Sequence, residues 1–169
     1  TTHDAPRLFI IVATENPVES EGVFVLPEAT LDRFMIKLPM QYVSRRDEVR
    51  MLQNIKVHGR KAQTSVKPVI SIDELLELQE VVLEMCATTS PALLEYIVDL
   101  TRATRPGKSA EEVNYFNSVH GVDADQLREQ IAFGASPRCE IAALHCAAAL
   151  AVVNGATHVE PARVKLVFH

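Results

Sequence analysis

Serine-led helix starts constrain this chain more than any other feature. Ser71-Ile72-Asp73-Glu74 is a complete capping box. The hydroxyl can take the N–H three residues on, and the glutamate can reach back to the serine N–H. Ser90-Pro91 and Ser136-Pro137 use a second device, a cap followed by proline at the first helical position. There the missing proline N–H costs nothing, because helix-start donors lack partners anyway. Ser44-Arg45-Arg46-Asp47 is a weaker version of the box, with aspartate in the place of glutamate. Behind Ser44 come the apolar Val49, Met51, Leu52 and Ile55. Behind Ser71, Leu75, Leu78, Val82 and Met85 mark one helical face. Asn154-Gly155 ends the run that Ser136 opens, and Thr157 to Pro161 starts another. Residues 43–169 are therefore expected to be all-α, with four to five helices.

Residues 1–42 read differently. Leu8 to Ala13 is a continuous apolar run, which suits a strand buried on both faces in a parallel sheet. It leads to Thr14, Glu15 and Asn16. Asn16 precedes Pro17 and is pushed towards an extended backbone. It would lie at the carboxyl end of the strand, where open α/β sheets bind their ligands. A loop turning at Gly22 follows. Pro27 then opens a short helix with Glu28 in its first turn. Phe34 to Leu38 reads as the next strand, ended by Pro39. The expected fold is thus the tail of an α/β domain over 1–42, followed by the helical domain. Between Pro106 and Gln126 the chain is polar and rich in turn formers, and a mobile surface loop is expected.

Composition narrows the function classes. The chain has 169 residues, 47% of them apolar, so it can build a packed core. No apolar run approaches the ~20 residues of a membrane-spanning helix. A net charge of −5 argues against nucleic acid, because the basic residues form no extended patch. Three cysteines without a C-x-x-C pair suit reduced thiols of a cytoplasmic protein, and the six histidines show no metal-ligand spacing. Cys139 and Cys146 share a helix face and read as small buried residues. The beginning, "TTHDAPRLF", has no basic stretch followed by an apolar one, as a secretory leader would. It lacks a Met and enters a strand almost at once, which leads us to expect a preceding part.

Three polar residues stand at the ends of regular elements. Asn16 can orient a water or meet a phosphate oxygen, or it can simply be a good turn residue before proline. Arg33 follows the short helix, its stem placed between Leu31 and Phe34. It either recognises a phosphate, for which a planar guanidinium is suited, or pairs with Asp32 or Glu28. Arg138 lies in the first turn of a helix, where a cation is disfavoured. That placement implies an anion nearby, which the free N–H groups of the helix start would also attract, unless the arginine is merely tolerated there. The chain has no G-x-x-x-x-G-K-[ST] phosphate loop and no apolar strand ending in paired acids that could hold Mg²⁺.

Taken together, "FIIVATENPVESEGVFVLPEATLDRF", "YIVDLTRATR" and "GASPRCEIAAL" resemble, in this order, the MoxR family of AAA+ ATPases. The resemblance implies the end of a P-loop α/β core over 1–42 and a helical lid over 43–169. It implies a protein that hydrolyses ATP with Mg²⁺, in a ring, commonly a hexamer, and matures or remodels client proteins as a chaperone does. A partner with a von Willebrand-type domain often accompanies this family. By position, Asn16 matches the sensor 1 residue that places the attacking water. Arg33 matches the arginine finger that reaches the neighbouring subunit's ATP. Arg138 matches sensor 2, which reaches the ATP of its own subunit. Glu15 stands where this family is expected to have glutamine. The family's phosphate loop and Mg²⁺-binding acids would lie upstream of Thr1, so the 169 residues alone are expected to be inactive and to bind no nucleotide tightly. The alternative reading is a non-catalytic helical interaction module descended from such an ATPase.

Overall fold

Each serine caps the helix its sequence announces. The computed structural model describes residues 8–15, 26–59, 67–105, 107, 111, 113–114, 117–118, 121, 123–131 and 133–168. In chain order the helices are α1 (Glu28–Leu31), α2 (Arg45–His58), α3 (Ile72–Ala87), α4 (Pro91–Ala103), α5 (Ala124–Gln130), α6 (Pro137–Val153) and α7 (Pro161–Val167). At α3 the box is complete. The Ser71 N–H donates to Glu74 Oε2 at 2.8 Å, and the Glu74 N–H donates to Ser71 Oγ at 3.2 Å. Ser44, Ser90 and Ser136 each accept an N–H from the first turn of their own helix. The far end of α6 is a Schellman motif. Ala156 N–H donates to Ala151 O and Gly155 N–H to Val152 O, both at 2.9 Å. Gly155 takes φ +66°, which only glycine adopts without strain.

The core lies around α6, which packs against α3, α4 and α7, while α4 also touches α7. Ala147, Ala148 and Ala151 are fully buried, and their short side chains let the neighbouring helices come close. Met85 of α3, Leu93 and Ile97 of α4 and Val164 of α7 close over them. The buried Thr101 satisfies its hydroxyl by donating to Ile97 O at 3.0 Å. On the face read on α3, Met85 is buried and Leu75 and Val82 are half-buried, while Leu78 stays exposed.

Two expectations change. Among the described residues there is no strand: 9–15 and 36–44 lie in no regular element. Phe9 to Val12 are 65 to 80% exposed instead of doubly buried. The α/β character of 1–42 is thus not seen. A strand exists only through its ladder, and no described segment pairs with these two. Similarly, α2 forms where Ser44 places it, yet none of its residues is buried. The segment 106–126 is also not simply a loop. Residues 111, 113–114 and 117–118 are helical, Gly121 at φ +66° donates to Asn117 O, and the Asp123 side chain caps α5. Gly121 and Asp123, two of its turn formers, thus stand at helix ends. Among the described residues no single helix is long and apolar enough to cross a membrane. The bent pair α3 and α4 passes that test only together, across a 93° break, and both helices contribute to the core.

Candidate functional site

The corner that carries Arg33 is built by backbone hydrogen bonds. Pro27 precedes α1, and its carbonyl accepts from Thr30 at 2.7 Å and Leu31 at 3.1 Å. The chain then winds on without a break. Asp32 N–H donates to Glu28 O, Arg33 to Thr30 O and Phe34 to Leu31 O, at 2.8 to 3.2 Å. Leu31 and Phe34 are half-buried and Arg33 is exposed. No hydrogen bond or ion pair of the Arg33 guanidinium to a described residue is present, so neither Asp32 nor Glu28 claims it in the way the surface-pair reading requires.

The corner that carries Arg138 is held from behind by α4. Arg105, just past the end of α4, donates from Nε to Ala135 O and pairs with Glu140 Oε1 at 3.4 Å. The Thr104 hydroxyl donates to Thr101 O at 2.7 Å and accepts the Ala135 N–H at 2.8 Å. Gly134 lets this contact form. A Cβ there would stand 2.6 Å from Arg105 Cγ and 2.8 Å from Thr104 O. Ser136 then accepts the Arg138 N–H at 3.2 Å and starts α6.

These two corners meet. Arg138 Nη1 lies 2.8 Å from Asp32 Oδ2, across 106 residues of chain. Ser136 stands beside the same carboxylate. Ser136 and Arg138 together hold Asp32 below the usual carboxylate range, so it is charged at neutral pH. A cation in the first turn of a helix implies a nearby anion, and Asp32 is that anion. Arg33 and Arg138 line one open cavity of about 310 Å³, with Asp32, Phe34, Cys139 and Ile141 among its walls. Burial pushes the Cys139 thiol up from its ordinary value, and Cys86 and Cys146 likewise, which leaves all three as protonated packing residues.

The structure therefore brings two of the three candidates, Arg33 and Arg138, to one cavity. Asn16 lies outside the described residues. Sequence reasoning missed Asp32, Arg105 and Gly134. Asp32 was legible only as a neighbour for Arg33. Arg105 and Gly134 carried no signal beyond their places in "TRATR" and "GASPR".

Two arginines lining one cavity, one of them in the first turn of a 17-residue helix, suit phosphate oxygens. They do not suit a metal, and among the described residues no three His, Cys, Asp or Glu side chains are grouped to hold one. Residues 1–36 match the model of the ATPase family associated with various cellular activities (AAA), and residues 124–169 match the AAA lid domain. Chaperone MoxR1 of Mycobacterium tuberculosis is 32% identical over 160 residues, which are 95% of this chain and 38% of that protein. The uncharacterized protein YeaC of Bacillus subtilis is 33% identical over 153 residues, 90% of this chain and 40% of that one. The crystal structure of a candidate ATPase of Cytophaga hutchinsonii superimposes with a TM-score of 0.72 at 31% identity, over 90% of this chain and 42% of that one. The chain thus spans about two fifths of the length of the curated relatives it matches. Over nearly its whole length, this chain is thus similar to a MoxR-like AAA+ protein.

Proposed function

We propose that these residues are the sensing and coupling part of a ring ATPase that acts on client proteins as a chaperone does, in the cytoplasm. The observation that carries this reading is the cavity lined by both Arg33 and Arg138. Arg138 meets the phosphates of ATP held by its own subunit. Arg33, exposed and on a corner fixed by successive backbone hydrogen bonds, is free to meet the ATP of a neighbouring subunit. Asn16 places the attacking water. The 169 residues contain no phosphate loop, so that loop and the Mg²⁺-binding acids come from residues outside them, and these residues alone turn over no ATP. ATP with Mg²⁺ supplies the phosphoryl-transfer energy. The side chains described here supply charge where it develops, an effect worth ~10³ to 10⁵ in rate where an arginine acts from a neighbour. The client finds support in the relative named as a chaperone; the ring, a hexamer in this reading, and a von Willebrand-type partner belong to the same proposal.

The test is steady-state ATP hydrolysis by the full-length protein. Arg33→Ala is expected to lower kcat by at least ~100-fold with little change in KM for ATP, and Arg138→Ala to raise KM as well. Full activity in both variants would leave a helical interaction module as the better reading.

A further inference from the structure

Arg138 already has an anion, and that anion belongs to the same chain. The Asp32 carboxylate sits at the start of α6, 2.8 Å from Arg138 Nη1. Ser136, the residue that caps the helix, stands beside it. A phosphate group would find the same guanidinium, in the first turn of a helix whose positive end favours an anion. The cavity beside it is open, and Arg138 keeps 62% of its side chain exposed, so a ligand can reach the pair.

We infer that Asp32 is an internal competitor for the anion that Arg138 receives, so that a nucleotide phosphate engages Arg138 only by displacing the Asp32 carboxylate. Two consequences follow from the geometry. The first is energetic: the ion pair must break before Arg138 turns to a phosphate, and the observed affinity is reduced by that cost. The second is mechanical. Asp32 and Arg33 are consecutive residues of one hydrogen-bonded corner. Releasing Asp32 from α6 frees the corner that carries Arg33, so occupation of a subunit's own Arg138 is transmitted to the arginine offered elsewhere. This inference rests on the reading of Arg138 as a phosphate-binding residue.

The experiment is calorimetric titration of the full-length protein with the slowly hydrolysed analogue ATPγS, and with adenosine as a probe without phosphates. Four forms are compared: unaltered, Asp32→Asn, Arg138→Ala and the double variant. Asp32→Asn keeps the shape of the side chain and removes its charge. It is expected to tighten ATPγS binding about 2- to 5-fold, the range of exposed ion pairs. The double variant is expected to bind as Arg138→Ala alone does, and adenosine binding is expected to be the same in all four forms. Loss of a merely structural contact would weaken binding, not tighten it. If Arg138→Ala weakens ATPγS binding while Asp32→Asn leaves it unchanged or weakens it, the competitor is overturned and the phosphate role of Arg138 stands. If Arg138→Ala changes nothing, both fall.

Discussion

Gly134 is the smallest residue on which the site depends. A Cβ there would run into Thr104 O and the Arg105 stem, and Thr104 O is backbone that cannot step aside. Gly134→Ala is expected to destabilise the helical domain by ~1–3 kcal/mol, the range of overpacked contacts. Hydrogen exchange in the intact protein should show faster exchange of the first α6 amides. Unchanged protection there would mean that the Thr104–Ala135 contact does not hold the corner. Asp32 makes a second prediction at this scale. Its pKa is depressed in the folded state by Ser136 and Arg138, with Arg33 adding to the effect. A depressed carboxylate contributes stability above its unfolded pKa, and loses it as pH falls through the folded value. The advantage of the unaltered protein over Asp32→Asn in urea unfolding should therefore be present at pH 7 and fade below about pH 4. An advantage independent of pH would contradict the ion pair.

At the scale of elements, the serine caps decide where helices begin, and that is why these were legible. Ser71→Ala removes the acceptor for the Glu74 N–H and one of the two donors to its carboxylate, the hydroxyl. It is expected to cost ~1 kcal/mol, read as faster exchange in the first turn of α3, with the second half of α3 unaffected. Equal loosening along the whole helix would mean that the cap is not what fixes its start. Capping is read from four adjacent residues, so sequence alone suffices. A strand is not a local object, which is why the apolar run Leu8 to Ala13 announced burial that no described neighbour provides. The polar stretch 106–126 misled for a related reason. Gly121 and Asp123 mark helix ends as readily as loops, and composition does not distinguish the two.

At the scale of the molecule, what sequence reasoning could not supply was the meeting of its own candidates. Arg33 and Arg138 were each legible from position, and the charge at the start of α6 announced an anion. That the anion would be Asp32, 106 residues away, follows only from how the α1 corner settles against the lid. The same meeting raises the central question, since two arginines at one cavity of one chain could serve a single nucleotide or two. In the proposed ring, Arg33 serves the neighbour's nucleotide and Arg138 that of its own subunit. The decisive measurement is ATP hydrolysis by rings of the full-length protein assembled from a mixture of Arg33→Ala and Arg138→Ala subunits. Where an Arg33→Ala subunit adjoins an Arg138→Ala subunit, one junction keeps both arginines. The account predicts that the mixture regains activity that each pure variant lacks. If the mixture stays as inactive as its components, the two arginines serve one nucleotide within one chain, and the ring assignment is wrong.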